Sequence, residues 1–451
     1  VYKRQEEIQQ DPGAFLSAIN SYASRKGNLP IYLLIDEYDN FTNTILSTYG
    51  TEYYQKATHG EGFVRGFFNV IKAATTGTGS ALQRMFITGV SPVTMDDVTS
   101  GFNIGTNITT DPWFNDLVGF SEAELREMLT YYKEQGVLMQ TVDETIVMMK
   151  PNYDNYCFSE EKLAQCMFNS DMALYFMKSF VLHHVKPKEI VDPNIRTDFN
   201  KLAYLIRLDH GLGENFSVIK EIAEQGEITT DIATHFSALE MTDVRNFKSL
   251  LFYFGLLSIK GVDMVGRPIL HVPNLVVREQ LFSFLIRGYI KHDIFKIDMN
   301  RMTMLFENMA FRGDWKPLFN FIAEAIREQS RIREYIEGEA HIKGFLLAYL
   351  GMYRYYQLYP EYELNKGFAD FLFKPSPSVP VMPPLTYLLE VKYAKAGTSE
   401  KEIRALADEA REQLLRYSQD ELVAEAKAKG GLKLITIVWC SWELVLLEEV
   451  L

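Results

Sequence analysis

Residues 367–373 read GFADFLF, and residues 388–392 read LLEVK, so Glu390 follows Asp370 by 20 positions. Both segments are short apolar runs that contain an acidic residue, and we expect each to form a strand. Side chains at positions i and i+2 of a strand point to the same face, so Glu390 and Lys392 share a face. If the two strands pair, Asp370 joins them. The sequence therefore predicts a cluster of two carboxylates and one ammonium group on a sheet.

This cluster has the composition of a metal-dependent hydrolytic site. Asp370 and Glu390 offer the oxygen ligands that hard cations such as Mg²⁺ and Mn²⁺ prefer, and Glu339, on the preceding helix, is a further candidate ligand. The cation would activate water and stabilise charge on a phosphate, while Lys392 would orient the water or support the transition state. A surface Glu–Lys pair is the ordinary alternative. The apolar neighbours argue for burial, however, and Glu and Lys are seldom buried without a purpose.

The elements around the cluster are predicted in the order α-β-β-β-α-β. A helix over 339–353 precedes the first three strands, and a long helix over 399–429 precedes the strands that end the chain. Gln413 and Tyr417 lie one turn apart on this long helix and so share a face, and we expect them to support the site. Residues 301–451 are therefore predicted to form an α/β domain with a preceding helix.

The N-terminal region, residues 1–118, alternates helices and strands. Residues 31–35 (IYLLI) are an apolar run that we expect to form a parallel strand buried on both faces. The run ends in Asp36 and Glu37, the pattern of a Walker B strand, in which the first acid holds Mg²⁺ and the second polarises the attacking water. A second apolar strand ends at Thr88, where such ATPases keep a phosphate sensor. The alternative for the first strand is an ordinary buried strand that ends in an acidic turn. The alternative for the second is an ordinary strand whose end is capped by a threonine.

The phosphate-binding loop of such an ATPase is missing. The pattern G-x-x-x-x-G-K-[ST] occurs nowhere in the 451 residues, and only thirty residues precede the strand at 31–35. Because the chain also begins with Val1 rather than methionine, we expect the loop to lie upstream and ATP to be a cofactor of the full-length protein. The chain alone is predicted not to bind or hydrolyse ATP competently.

The middle of the chain is predicted to be a helical lid over 119–235 and a winged-helix-like region over 236–300. Ser121, followed by Glu122 and Glu124 in the first turn, has the pattern of a helix N-cap. A helix over 243–255 is followed by two strand-like runs with a polar turn between them. Helix and then hairpin is typical of a winged helix.

The charge distribution supports a nucleic-acid partner only locally. The chain has 59 acidic and 46 basic residues, and a net charge of −13 excludes a uniformly basic nucleic-acid-binding surface. Between Arg245 and Arg301, however, nine basic residues stand against four acidic ones. A winged helix can place a helix in the major groove, which makes Lys248 and Arg267 candidate contacts to DNA or RNA. The alternative is a lid that touches the ATPase core.

The overall composition is that of an ordinary globular protein. The chain is 47% apolar and 23% charged, and its length corresponds to about three domains. No apolar run reaches about 18 residues, so we expect no transmembrane helix and no membrane partner. Three cysteines fit a reducing compartment, and we expect a cytoplasmic protein. The sequence leaves the oligomeric state open.

Both motif regions together resemble bacterial AAA-ATPase-like proteins fused to a C-terminal PD-(D/E)xK nuclease-superfamily domain. The most telling segments are LIDEYD at 34–39, FITGVSP at 86–92, FYFGLL at 252–257, VPN at 272–274, NKGFAD at 365–370 and LEVKY at 389–393. Two departures are visible: Ala369 stands where the superfamily's name has a proline, which is a frequent variation, and the Walker A motif near the start is absent.

The resemblance implies a partial P-loop ATPase core, a helical lid with a winged helix, and a restriction-endonuclease-like α/β domain at the C-terminus. The implied function is that of an ATP-regulated, metal-dependent nuclease that cuts nucleic-acid phosphodiesters. An ATP-dependent switch or nucleic-acid-binding protein with a catalytically silent nuclease fold is the alternative. The C-terminal region has no obvious basic field to attract phosphates. From Glu361 to Leu451 there are 15 acidic and 11 basic residues.

Overall fold

The computed structural model describes most of the chain, and the statements below concern that part. The described residues are 11–26, 29–76, 80–98, 105–183, 187, 214–291, 296–329, 338–364, 367–376, 379, 381–428 and 431–450. No helix among them is both long and apolar enough to span a bilayer.

The N-terminal region contains a small parallel sheet with helices against it. Its elements are α1 (Pro12–Arg25), β1 (Ile31–Ile35), α2 (Asn40–Tyr49), α3 (Thr51–Thr58), α4 (Phe63–Thr76), β2 (Leu82–Ile87) and α5 (Val93–Val98). β1 and β2 pair in parallel, with Ile35 opposite Ile87. The two strands therefore end at the same edge of the sheet, which brings together the residues that follow them.

Strand β1 is covered on one face, so the expectation that it is buried on both faces is wrong for the described chain. Ile31, Leu33 and Ile35 pack against the cluster that α1 and α4 help to form. Tyr32 and Leu34 are 64% and 76% exposed. Alternate residues of a strand face opposite sides, and the helices cover only one of them. An apolar run by itself does not reveal how many faces of a strand are covered.

Helices form the next region. They are α6 (Glu122–Glu134), α7 (Val142–Tyr153) and α8 (Ser170–His183), whose apolar faces share one cluster. The predicted helix start at Ser121 is confirmed: its hydroxyl accepts a hydrogen bond from the Glu124 amide, and the Glu124 carboxylate accepts one from the Ser121 amide. These reciprocal bonds satisfy two amides that the first turn would otherwise leave free.

A small antiparallel sheet follows. The elements of this region are α9 (Glu214–Gln225), β3 (Glu227–Thr229), α10 (Val244–Tyr253), β4 (Ser258–Val262), β5 (Pro268–His271) and α11 (Leu275–Lys291), and the three strands form the sheet. The helix followed by a hairpin is present as α10, β4 and β5, and β3 adds a strand to give the order β3-β5-β4. The assignment of this region to the winged-helix fold stays a prediction.

The C-terminal region is built on one larger mixed sheet. Its elements are α12 (Met299–Arg312), α13 (Lys316–Glu328), α14 (Glu339–Gly351), β6 (Tyr356–Leu364), β7 (Gly367–Pro375), β8 (Thr386–Ala394), α15 (Glu400–Tyr417), α16 (Glu421–Ala428), β9 (Leu432–Cys440) and β10 (Glu443–Val450). The strand order is β10-β9-β8-β7-β6, and only β8 and β9 among these neighbours are parallel. A parallel pair needs a long crossover, which α15 and α16 provide where one long helix was predicted.

One hydrophobic core continues from the middle of the chain into this sheet. It includes Phe247 of α10, Phe282 of α11, Phe345 of α14 and Trp439 of β9. Helix α14 lies at its centre, and nearly every residue from Ile342 to Leu350 is buried. The predicted domain boundary at residue 300 therefore falls within a continuous core. The tight packing fixes the position of α14 against the sheet, and with it any polar side chain that α14 carries.

Candidate active site

Asp370 and Glu390 lie opposite each other on β7 and β8, where the hydrogen-bond ladder between these strands ends. The last pair in register is Phe371 with Leu389. One residue further, the amide of Val391 donates to Oδ2 of Asp370 at 2.6 Å, and the amide of Asp370 donates to Oε1 of Glu390 at 3.4 Å. The two side chains are only 6% and 3% exposed. Carboxylates thus replace backbone carbonyls as acceptors, and the two strands separate around a buried acidic pair.

Lys392 lies beside this pair on the helix α15 side. Its Nζ is 3.8 Å from Oε2 of Glu390 and 3.5 Å from Oε1 of Glu409, and its side chain is 16% exposed. The structure therefore brings the three residues expected from the sequence into one cluster. It adds Glu409, which the sequence analysis missed although Glu409 lies one turn before Gln413 on the same helix face.

Lys343 enters the same cluster from α14. Its Nζ forms ion pairs with Oδ1 of Asp370, with Oε1 of Glu339 at 2.8 Å and with Oε1 of Glu361 at 3.0 Å. Glu339, predicted as a metal ligand, thus reaches the acidic pair through an ammonium group. Lys343 was missed by the sequence analysis, although its i+4 spacing from Glu339 was a usable signal.

Glu361 reaches the site because of the β6–β7 register. Pro360 pairs with Phe371, and Tyr362 pairs with Ala369, which puts Glu361 opposite Asp370. The backbone of Glu361 has a φ of +44°, in the left-handed region that non-glycine residues rarely adopt. No local sequence pattern marks Glu361, because its proximity to Asp370 depends on strand pairing.

Gln413 and Tyr417 lie on α15, which packs against β7, β8 and β9. Tyr417 is buried and its ring lies close to Gly367, where an added Cβ would be 2.6 Å from the ring hydroxyl, so it shapes the beginning of β7. Oε1 of Gln413 is buried and has no hydrogen-bond partner among the described residues. The same holds for Oγ1 of Thr436, which lies opposite Glu390 in the β8–β9 register. Two oxygen atoms near this sheet thus remain available as acceptors.

Burial dominates the protonation of the acidic pair. It raises the pKa of Glu390 to about 9, and the neighbouring charge of Asp370 acts in the same direction. Burial also raises the pKa of Asp370, against the opposing pull of Lys343. For Lys343, burial lowers the pKa, but the charges and hydrogen bonds of Asp370 and Glu339 outweigh it, and its pKa is raised. The cluster therefore holds Lys343 as a cation and still has more carboxylate than nearby positive charge.

The second group of candidate residues lies at the ends of β1 and β2. The Thr88 hydroxyl donates to Oδ1 of Asp36, and the amide of Glu37 lies 3.1 Å from the same oxygen and 3.3 Å from the Thr88 hydroxyl. Glu37 has a φ of +50° and accepts a hydrogen bond from Asn40 at 2.8 Å. The carboxylates of Asp36 and Glu37 are exposed. The structure thus brings together the three residues that the sequence assigned to nucleotide chemistry.

Asp39 holds this corner together. It is fully buried and accepts hydrogen bonds from the amides of Val90 and Ser91, each at 3.0 Å, and from the side chain of Asn43 at 2.8 Å. Gly89 lies so close to Tyr38 that an added Cβ would be 2.2 Å from the ring. Asp39 thereby links the segment after β1 to the segment after β2, a structural role that its sequence position alone did not indicate.

The basic stretch between residues 245 and 301 is less basic in three dimensions than its count suggests. Arg267 is exposed but pairs with Asp263 at 2.8 Å, and Lys260 pairs with Glu227, which lies outside the counted segment. Lys248 is partly buried on α10. Glu227 is distant in sequence and neutralises part of the local charge, because the small sheet brings β3 next to the hairpin.

The acidic pair and Lys392 lie in a segment whose sequence matches a known protein family. Residues 337–449 match the PD-(D/E)XK nuclease superfamily. Residues 1–99 match a family described as a predicted AAA-ATPase. The resemblance expected from the sequence is thereby confirmed at both ends of the chain. No curated protein and no solved structure shows a significant match.

Nucleases of the PD-(D/E)XK superfamily generally depend on a divalent metal ion. In the described part of the chain, no three side chains of His, Cys, Asp or Glu are grouped so that they could hold one. The ammonium group of Lys343 lies among the oxygens of Asp370, Glu339 and Glu361. The chemistry of the donor set nevertheless fits Mg²⁺ or Mn²⁺, since buried carboxylate oxygens without sufficient positive charge are the ligands that hard cations bind.

The raised pKa of Glu390 predicts how the nuclease-like domain responds to pH when metal is absent. In the folded state Glu390 keeps its proton to a higher pH than in the unfolded chain. The stability that comes from this difference is fully present below the unfolded pKa of Glu390 and is lost as pH rises toward the folded pKa of about 9. Relative to Glu390→Gln, the free energy of unfolding of the native sequence should fall by up to roughly 5 kcal/mol between pH 5 and pH 9, since one pKa unit is about 1.4 kcal/mol.

Denaturant unfolding in EDTA at pH 5, 7 and 9 measures this difference. Glu443→Gln, at an exposed position of β10, is the matched control and should follow the pH profile of the native sequence. Parallel profiles for the native sequence and Glu390→Gln would show that Glu390 titrates normally in the folded state.

Proposed function

We propose that residues 337–449 hydrolyse nucleic-acid phosphodiester bonds in a reaction that requires Mg²⁺ or Mn²⁺. The observation that carries the proposal is the facing pair of Asp370 and Glu390, buried where the β7–β8 ladder ends, with Lys392 two residues further along β8. The match of this segment to a nuclease superfamily supports the same reaction class.

Each residue of the cluster has a role in this proposal. Asp370 and Glu390 hold the cation with their oxygens; when bound, it supplies a water of lowered pKa and stabilises negative charge on the phosphate. Lys392 donates hydrogen bonds to the attacking water or to the phosphate oxygens, where the charge develops. Glu409 holds the Lys392 ammonium from α15, at 3.5 Å. Burial strengthens these interactions, because the local dielectric is low.

We also propose that the region matched by the AAA-ATPase family regulates the nuclease through nucleotide. The convergence of Asp36, Glu37 and Thr88 at the ends of two parallel strands supports this part of the proposal, because ligands of open α/β sheets bind at that edge. The winged-helix-like region, with Lys248 and Arg267, is the proposed nucleic-acid contact. Its partly neutralised charge predicts weak binding on its own.

Cleavage of a mixed panel tests the proposal. Single- and double-stranded DNA and RNA of the same sequence are incubated with the chain in Mg²⁺, Mn²⁺ or EDTA, and the products are resolved by denaturing electrophoresis. We expect cleavage of at least one substrate in either metal and none in EDTA. Equal cleavage in EDTA would point to a contaminating or metal-independent activity.

A second candidate function rests on Lys343. Because its ammonium group takes Oδ1 of Asp370, the nuclease fold could bind nucleic acid without cutting it, as part of an ATP-dependent switch. Binding of the panel without cleavage in any metal would favour this function over the first.

Nucleotide binding by the chain alone is a further prediction. Nothing in the 451 residues matches G-x-x-x-x-G-K-[ST], whose backbone amides and lysine bind the phosphates of ATP. Asp36 and Glu37 without that loop should give no saturable binding in the micromolar range. Titration calorimetry with Mg²⁺ and ATP measures it, and a micromolar dissociation constant would contradict the prediction.

A further inference from the structure

Lys343 is an unusual residue for its position. Helix α14 is apolar, and Ile342, Gly344 and Phe345 around Lys343 are buried in the main core. Lys343 itself is only 19% exposed, and its ammonium group contacts three carboxylates. A lysine is seldom buried unless it is paired. The long aliphatic stem packs with α14, while the charged end is delivered to the acidic cluster.

The three partners of Lys343 differ in exposure. Asp370 is 6% exposed, whereas Glu339 is 38% and Glu361 is 55% exposed. The ammonium group therefore contacts both the buried Asp370 and the more exposed glutamates at the edge of the cluster. Lysine carries a compact point charge on a flexible four-carbon stem, so its ammonium group can leave Asp370 and stay paired with the two outer glutamates.

Lys343 and a divalent cation would compete for Asp370. An ammonium group sits about 2.8 Å from a carboxylate oxygen, and Mg²⁺ sits about 2.1 Å from one. Both cations on the same carboxylate would be close like charges in a site of low dielectric, which is unfavourable. Lys392 lies farther from its proposed metal ligand, at 3.8 Å from Glu390, and it also contacts Glu409, so its conflict with a bound cation is weaker.

We propose that Lys343 is a tethered cation that occupies the acidic cluster when metal is absent and competes with the divalent cation for Asp370. Metal loading is then an exchange of one cation for another, with Lys343 moving outward to Glu339 and Glu361. Lys343 acts in this scheme as a positioning residue, since it sets when Asp370 becomes available. The inference rests on the proposed function in one respect, that Asp370 is a metal ligand.

Binding of Mn²⁺, followed by electron paramagnetic resonance of the free ion, tests the exchange. Lys343→Met keeps the length of the stem and removes the charge, and it should bind Mn²⁺ about tenfold more tightly than the native sequence, as expected when one competing charge interaction is removed. Lys343→Arg keeps the charge and should not gain affinity. Lys433→Met, on β9 and paired with Glu449, removes one positive charge elsewhere in the domain and should bind as the native sequence does.

The outcomes separate this inference from the proposed function. Unchanged or weaker Mn²⁺ binding by Lys343→Met, with measurable binding by the native sequence, overturns the exchange and leaves the metal site standing. Absence of Mn²⁺ binding in both proteins overturns the metal site itself, and the exchange with it. Binding by Lys343→Met alone is the strongest support for competition.

Chemical modification of the native sequence provides a second measurement that needs no variant at Lys343. Acetylation by an N-hydroxysuccinimide ester, read by mass spectrometry of the peptide that contains Lys343, should rise several-fold when Mn²⁺ is added, because the amine leaves its buried partner. Asp370→Asn should raise the same labelling without metal. Labelling that is insensitive to both changes would show that Lys343 does not move, and would overturn the exchange.

Discussion

Replacing Asp370 by asparagine should lower metal-dependent cleavage about a thousandfold or more, which is the scale expected when a metal-activated water is lost. Asparagine has the same shape and can still accept the hydrogen bond from the Val391 amide, so the fold around β7 and β8 should persist. It cannot supply the charge that a divalent cation needs. Initial rates on the best substrate of the panel, with Mg²⁺ and with Mn²⁺, measure the loss.

The same variant should also weaken Mn²⁺ binding, because the site loses one of its two buried carboxylates. Asp408→Asn is the matched control, since Asp408 is exposed on α15 within the same domain. It should retain both cleavage and metal binding. Cleavage by Asp370→Asn at the native rate would remove Asp370 from the reaction, and circular dichroism distinguishes a catalytic loss from a folding defect.

Replacing Lys392 by methionine should lower cleavage about a hundredfold to a thousandfold, as when one hydrogen-bond donor to a developing charge is removed. Mn²⁺ affinity should be retained or increased, because the positive charge 3.8 Å from Glu390 is gone. The variant thus separates two roles, since Asp370→Asn is expected to lose both binding and rate while Lys392→Met loses only rate.

Lys395→Met is the control for Lys392→Met. Lys395 is exposed and follows the end of β8 three residues after Lys392, so its loss changes the net charge in the same way without touching the cluster. If both methionine variants cleave at the native rate, Lys392 has no part in the reaction. If both lose activity equally, net charge near the substrate is the cause.

Part of the candidate site could be predicted from sequence because its signals are local. Glu390 and Lys392 are two residues apart on an apolar strand, which fixes their common face through the period of the β-structure. Asp370 lies in a similar apolar run, so its burial follows from its neighbours. The order of helices and strands gave the α/β character of the C-terminal region for the same reason.

The remaining residues of the site depend on pairing and packing that no local pattern contains. Glu361 meets Asp370 only through the β6–β7 register, and Lys343 meets it only because the core holds α14 against the sheet. The exposure of Leu34 on β1 depends likewise on which face the helices cover.

The sequence by itself determined which side chains are the candidates for the chemistry: an acid on one strand, and a glutamate and a lysine sharing a face of the next. The tertiary structure decided which charge meets which. Strand register and helix position place Lys343 on Asp370 and Glu409 on Lys392, over distances of 27 and 17 residues along the chain. Ion pairs form through space, and in a buried site of low dielectric their partners decide whether a carboxylate is free to bind a metal ion.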